Sequence, residues 1–495
     1  MSKKTISGSM QVAIEGCCHG MLNNIYRNIP KSVELLIICG DFQAIRNQGD
    51  LKCIAVPEKY LKMGDFADYY TGRKKAPVFT IFIGGNHEAS NYLEELKYGG
   101  FVAPNIYYLG ETGVLWYKGI RIVGWSGIYN KENFMKMREN AHVPFNRSTI
   151  RSVYHYRKDD YLKLRLLKQC NSSVVLSHDW PHEIHEYGNR DYLLKKKPFF
   201  KSDMEKGELG SPANSALLRH LKPRHWFSAH LHVRFLAKVA WNSPKRQSVD
   251  GSEAITSKKL KLDANNDDEL DLGLDDCIDE RIQNSVNNEK DSEGMTSNHE
   301  CNADEIDLEL SDSEITSSKD AVNCKVNNSE KKEDTAENEN EIQLDLSEDE
   351  SEGKEIRTET TTILNPTEFL ALDKCLPRRR FLEILQIEKT VSSRGTHPFY
   401  LDPEYIAVLK VVNKHKDLIE RLNYEQVLEP TELIHEVQQE IDEHVAEYRQ
   451  LNDEDYDRLF KIDFNGFSKT ANIHDRGAQL YKNSQTTTFV EKFGL

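Results

Sequence analysis

Long hydrophobic runs are missing from this chain. No window approaches the roughly eighteen consecutive apolar residues of a membrane-spanning helix, so no membrane span is expected. The opening "MSKKTISGSM" lacks the apolar stretch of a signal peptide. It reads as a short leader before a second strand-ready start at Met10. Cysteine is too scarce and irregular for a disulfide scaffold. Nine cysteines, an odd number without framework spacing, predict reduced thiols in the cytosol or nucleus. Aromatic residues all but vanish between 241 and 360, where "DANNDDELDLGLDDCIDE" and "EIQLDLSEDESEGKE" stand. A segment so poor in apolar surface cannot offset its chain entropy, so 241–360 is expected to be an acidic disordered linker.

At 495 residues the chain exceeds one ordinary core and calls for two or three regions. The net charge of −15 hides an asymmetry. Residues 1–240 carry 35 Lys and Arg against 22 Asp and Glu, residues 241–360 carry 13 against 35, and residues 361–495 carry 17 against 23. A basic first region suits contact with an anionic polymer, although an ordinary solvated basic surface explains the charge equally well.

Within 10–240, short apolar runs alternate with helix-like stretches. "MQVAIEG", "VELLIICGD", "VFTIFIGGNHE", "IRIVGWSG", "SSVVLSHDW" and "HWFSAHLH" read as strands, with "MLNNIYRNI" and "LEELKYG" as helices. That pattern predicts a mixed α/β domain with buried central strands. Order is expected to return near Thr361, with a helix opening at Pro430–Thr431 in "EPTELIHEVQQEIDEHVAEYRQL". A C-terminal domain is assigned to 361–465 and a weakly ordered Asn-, Thr- and Gln-rich tail to 466–495.

Polar groups cluster where these strands end. The first run ends in Cys17 and His19, the second in Asp41, the third in Asn86 and His87, and two later runs in His178 and in His230 and His232. Ligands collect at the carboxyl ends of strands in α/β sheets. Taken singly, Gly-Asp and Asn-His are good turn chemistry, and His178 reads as a satisfied loop histidine. Their joint order, each following an apolar strand, favours a metal site.

The set "GDF", "GNHE", "LSHDW" and "AHLH" resembles the calcineurin-like metallophosphoesterase superfamily, whose pattern is D-x-H, G-D, G-N-H-E, H and G-H-x-H. Ala229 replaces the last motif's glycine, and Cys17 stands where the first aspartate belongs. Longer blocks, among them "GCCHGMLNNIY", "CGDFQAIRNQGDLKCIAVPEKY" and "FLALDKCLPRRRFLEI", resemble the RNA lariat debranching enzyme family. The resemblance covers 10–240 almost throughout and roughly 361–390. It implies a metallophosphoesterase sandwich of mixed β-sheets flanked by helices, with a smaller C-terminal region packed on it.

It further implies one or two divalent metal ions per site, Mn, Fe or Zn, bridged by Asp41. One position would use Asp41, Asn86, His178 and His230, and the other His19, Asp41 and His232 with Cys17. Cys17 either coordinates as a thiolate, favouring softer metals, or leaves that position weaker as a neutral thiol. His87 would act on the scissile phosphate or the leaving 2′-oxygen. Glu88 and Asp179 are candidates to orient His87 or His178, with surface ion pairing as the alternative.

The implied reaction is hydrolysis of the 2′–5′ phosphodiester at the branch of excised intron lariat RNA. A lariat-recognition loop is expected near 128–168, where Arg and Lys interleave with Tyr, Phe and His, and Arg151, Tyr154 and His155 are expected to bind substrate. An amphipathic surface helix is the plainer reading of that segment. "SPANSALLRHLKP" offers a helix N-terminus for phosphate or mere packing. Arg378 to Arg380 read as a nuclear-targeting or RNA-facing patch, or as a docking contact of the C-terminal region. The nucleus, with the cytoplasm as a second location, and splicing or RNA-turnover factors bound through the acidic linker complete the expectations. A protein phosphatase loses ground because Ala44 occupies the second aspartate of G-D-x-V-D-R-G. A non-catalytic scaffold should have lost more ligands.

Overall fold

Strands of three to seven residues, six of them wholly buried, set the architecture. A computed structural model describes residues 8–169, 173–241, 364–390 and 397–495. Within them run β1 (Ser9–Glu15), β2 (Leu35–Ile38), β3 (Phe79–Phe82), β4 (Gly100–Ala103), β5 (Ile106–Tyr108), β6 (Thr112–Tyr117) and β7 (Ile120–Trp125). They continue with β8 (Val174–Ser177), β9 (His225–Ser228), β10 (Phe235–Val239), β11 (Thr367–Ala371), β12 (Leu382–Glu388) and β13 (Phe399–Leu401). One sheet has the order β12-β1-β2-β3-β5-β4 and the other β10-β11-β9-β8-β7-β6-β13. The central pairs β1–β2–β3 and β7–β8–β9 are parallel, so their carboxyl ends lie together within each sheet.

The period-two alternation of strands explains why both faces of these runs are apolar. Val12, Ile14, Leu35 and Ile37 meet Val174, Leu176, Phe227 and Leu370 in the layer between the sheets. The intervening Ala13, Leu36 and Ile38 face the other way, onto Leu22, Ile25 and Phe66 of the flanking helices. On the second sheet Val175, Trp226 and Phe369 face a helical layer that includes Leu217, Ile406 and Val437. At about 1.5–3 kcal/mol for each large apolar side chain buried, these three layers fix the sandwich.

The C-terminal region does more than pack on the sandwich. It builds both sheets. β11 lies between β9 and β10, β12 extends the first sheet beside β1, and β13 edges the second beside β6. Its helix Pro403–Lys414 starts at Asp402, whose carboxylate accepts N–H bonds from Tyr405, from Trp116 at 2.8 Å and from Arg121 at 2.7 Å. The expected helix after Pro430 spans Thr431–Gln450.

Residues 466–495 depart from the weakly ordered tail expected of them. Gln485 takes the Phe101 N–H at 2.7 Å and donates to the Phe101 carbonyl at 2.9 Å. The Tyr70 hydroxyl receives the N–H groups of Thr470 and Ala471, and the helix Ser484–Phe493 closes the chain. The segment's polar side chains pair with buried backbone here, a use that composition does not reveal. The expected acidic linker over 241–360 lies, apart from Trp241, outside the described residues. No described helix is long and apolar enough to cross a membrane.

Candidate metal centre

Tight turns after the parallel strands deliver the polar groups. His19, Asp41, His230 and His232 all adopt left-handed backbone, with φ of 44°, 47°, 63° and 47°. Such conformations are costly for side-chain-bearing residues and gather where structure holds a functional geometry. Two glycines make room. A Cβ at Gly40 would stand 2.1 Å from His178 Nδ1, and one at Gly85 would stand 2.2 Å from Asp41 Oδ1. Gly16 serves the same end on the other side, since its Cβ would meet the Asp373 carbonyl at 2.1 Å.

The result is two groups sharing one carboxylate. Cys17, His19, Asp41 and His232 offer one ligand atom each, all within 4.8 Å of one another. Beside them, His178 Nε2 lies 3.4 Å from Asp41 Oδ1 and 3.2 Å from Asn86 Oδ1. The His230 ring centroid lies 5.0 Å from that of His178, and the His230 N–H donates to Cys17 Sγ at 3.3 Å. Asp41 Oδ2 is buried without a hydrogen-bond partner, while Oδ1 accepts the His87 N–H at 2.9 Å. His19 Nε2 and His232 Nε2 face each other at 3.3 Å. An orphaned buried carboxylate oxygen and opposed imidazole nitrogens suit a cation between them. The residues fit a divalent metal.

Electrostatics agree for His19 and His232, whereas for His178 burial lowers the imidazole but Asp41 raises it above its ordinary range. Burial drives His19 down to about 4 despite the pull of Asp41, and burial likewise takes His232 well below its ordinary range. Neutral imidazoles are the ligand form. Burial pushes the Asp41 carboxyl up, but His178, His87 and His19 together hold it well below the usual range, hence ionised.

The orienting groups differ from those expected. His178 Nδ1 pairs with the Cys39 carbonyl at 2.8 Å and His87 Nδ1 with the Ala55 carbonyl at 3.1 Å, so backbone fixes both rings. Glu88 orients neither histidine. Its carboxylate accepts the N–H groups of Phe42, Gln43 and Gly85 at 2.7, 2.8 and 3.0 Å, tying the "GDF" and "GNHE" turns together. Burial and then Asp41 push it up to about 8 against those three donors. Asp179 accepts the N–H groups of Tyr129 and Trp180. The helix Pro212–Leu221 begins at fully buried Ser211 and uses Asn214 to hold Trp125 and the Asp179 carbonyl, so packing explains its start. Backbone carbonyl acceptors such as those of Cys39 and Ala55 leave no mark on side-chain patterns. The glycines of "CGD" and "GGN" are the available signal.

The segment 128–168 forms three short helices, Lys131–Phe134, Thr149–Ser152 and Lys158–Arg165, rather than one amphipathic helix. Its start is tied to the "GGNHE" turn, because Gly127 N–H donates to the Gly84 carbonyl, and Ile128 N–H closes the segment on itself at the Tyr154 carbonyl. Of the expected substrate contacts, Tyr154 is buried. His155 is half-buried, with Nδ1 3.0 Å from the Asn133 amide, and burial followed by the charge of Arg157 takes it down to about 3. Arg151 is half-buried. Arg379 pairs with Asp373 at 3.4 Å, whereas Arg378 and Arg380 are exposed.

The family model for calcineurin-like phosphoesterase matches residues 10–234, and that for the lariat debranching enzyme C-terminal domain matches residues 365–495. The lariat debranching enzyme of Schizosaccharomyces pombe is 41% identical over 408 residues, covering 82% of this chain and 79% of that protein. The Saccharomyces cerevisiae lariat debranching enzyme is 37% identical over 430 residues, covering 84% and 88%. The Homo sapiens lariat debranching enzyme is 53% identical over 262 residues, covering 51% and 47%. The matched part thus spans about half the length of the vertebrate relatives and most of the yeast ones.

Proposed function

The chain belongs to the lariat debranching enzyme family, and from that premise we propose that it hydrolyses the 2′–5′ phosphodiester at the branch of lariat RNA. The observation that carries the reaction class is the buried Asp41 shared between two ligand groups, with His87 at their edge. The substrate rests on the family.

Cys17, His19, Asp41 and His232 would hold one divalent cation, and Asp41, Asn86, His178 and His230 a second. Bound there, such ions supply positive charge for the oxygens that enter and leave phosphorus. The protein sets the donors. With Nδ1–H given to the Cys39 carbonyl, His178 presents the Nε2 lone pair beside Asp41. The Asn86 amide directs Oδ1 to His178 and Nδ2 to His87 Nε2 at 3.0 Å. His87 is anchored through Nδ1 while its Nε2 accepts the Asn86 amide, so only as an imidazolium turned from Asn86 would it give the Nε2 proton to the departing 2′-oxygen. The N–H of His230 aimed at Cys17 Sγ supports coordination by the sulfur, and with it a preference for Zn or Fe over Mn. The same reading carries a nuclear site of action, with the cytoplasm as a second.

Purified metal-loaded protein should linearise a synthetic 2′–5′ branched RNA and leave a linear 3′–5′ RNA of the same bases intact. An uncut branch sinks the reading. Metal analysis of wild type beside Cys17→Ser and Cys17→Asp tests the thiol, and unchanged metal content and identity would remove it from the ligand set.

A further inference from the structure

The turn between β11 and β12 is anchored at the metal centre. Cys17 N–H donates to the Asp373 carbonyl at 3.3 Å, and Cys375 N–H donates to the Cys17 carbonyl at 3.0 Å. On the other arm of the turn, the Phe381 carbonyl accepts the Gly16 N–H at 3.0 Å. Both arms thus hold the backbone that delivers Cys17. They also hold each other, because Asp373 N–H donates to the Arg380 carbonyl at 3.2 Å. Arg379 N–H closes the tip on the Leu376 carbonyl at 3.2 Å. Arg380 is therefore two backbone hydrogen bonds from Cys17. At the tip, Arg378 takes left-handed backbone with φ of 62°, a costly conformation for a residue with a side chain.

One of the three arginines here is already engaged. From Asp373 to Arg380 the turn carries four basic residues and one acidic one. That acid, Asp373, is buried and pairs with Arg379 at 3.4 Å. Arg378 and Arg380 are exposed, and among the described residues neither side chain makes an ion pair or a hydrogen bond. They do not dock the C-terminal region, since nothing in it or in the sandwich receives them. Nor is the triplet offered as an extended targeting segment, because its backbone is closed into the turn. Resting on the debranching reading above, we propose that Arg378 and Arg380 are substrate-binding residues: their guanidinium groups contact phosphates of the lariat RNA that flank the branch. A guanidinium holds a phosphate through two parallel N–H bonds, and such contacts orient a strand without reading its bases. With the branch phosphate at the metal centre, the strands leaving it carry further phosphates, and a turn anchored at Cys17 is placed to meet them. The C-terminal region thus adds to the site as well as to the sheets.

The test uses the full metal-loaded chain carrying Arg378→Gln with Arg380→Gln, or Arg378→Lys with Arg380→Lys. Binding of a branched RNA with a hydrolysis-resistant phosphorothioate branch is read by anisotropy across a salt series. KM and kcat for the cleavable RNA, metal content and the urea midpoint are measured beside it. The glutamine pair should weaken binding by about ten- to a hundredfold and raise KM, with kcat, metal content and urea midpoint as in wild type. The slope of log affinity against log salt should fall by about 1.4, two single-strand phosphate contacts at about 0.7 each. The lysine pair should restore the slope and most of the affinity. Wild-type affinity and slope in the glutamine pair would overturn the proposal while leaving the debranching reading intact. So would a lowered urea midpoint, which would give the arginines a structural task. Loss of nuclear accumulation at wild-type RNA affinity would overturn it too, by handing the triplet to an import receptor. A wild type that neither binds nor cuts branched RNA would overturn both readings.

Discussion

Replacing Gly40 by alanine asks whether the His178 ring is held as tightly as its contacts imply. The new Cβ would lie 2.1 Å from Nδ1, 2.7 Å from Cγ and 3.0 Å from Cε1 of His178, at a residue whose φ is +118°. The ring is fully buried, its Nδ1 engaged by the Cys39 carbonyl at 2.8 Å and its Nε2 facing Asp41 at 3.4 Å. It has nowhere to retreat without giving up a partner. Positive φ at a non-glycine residue costs about 1–3 kcal/mol, and overpacking a filled site adds about 1–3 kcal/mol. If the ring stays, Gly40→Ala should lose about 2–6 kcal/mol of stability, the sum of those two costs. If the ring moves, stability recovers in part but the Cys39 carbonyl bond and a proposed metal ligand are lost.

Gly72→Ala is the matched control. Gly72 also has positive φ, +81°, but nothing lies within 4 Å of its would-be Cβ. Only the backbone term applies there, about 1–2 kcal/mol, with metal content untouched. Urea midpoints and bound metal, measured on both variants and wild type, separate the cases. A Gly40→Ala protein matching Gly72→Ala in stability and wild type in metal content would refute the tight packing of His178.

Other consequences follow from the same contacts. His87→Ala should slow branch cleavage by about 10²–10⁴-fold at unchanged metal content, and equal rates would remove His87 from the chemistry. Gln485→Ala breaks both bonds to Phe101 and should cost about 1–3 kcal/mol in urea unfolding, whereas no change would return 466–495 to a loosely attached tail. For Asp402, burial raises the carboxyl, but Arg121 and the donated N–H bonds prevail and hold it below 3.8. A depressed carboxyl contributes stability that is complete above its unfolded pKa and is lost as pH falls through the folded one. Stability should therefore drop below about pH 4, and Asp402→Asn should be less stable near neutrality with a shallower acid dependence. An acid limb identical in the two proteins would show that the Arg121 pair carries no such linkage.

Which features could be read from the sequence depended on the range of the interactions that create them. "MQVAI", "VELLII" and "VFTIFI" declare β1, β2 and β3 through local apolar runs, and glycine with a polar residue marks where each ends. The helix Thr431–Gln450 is legible through its own spacing. The fold class and the family follow from such blocks. By contrast, β11 sits between β9 and β10 although well over a hundred residues separate it from both, and no local pattern encodes a pairing at that distance. The tail was misjudged for a related reason. Gln485 and Thr470 belong to an Asn-, Thr- and Gln-rich stretch, yet they meet backbone or tyrosine groups of a remote part of the chain. Tyr154 is the converse case. Its aromatic ring among basic residues suggested base stacking, but the 128–168 segment turns that ring inward. Composition can nominate a contact, and only the fold decides which face of the residue is left to make it.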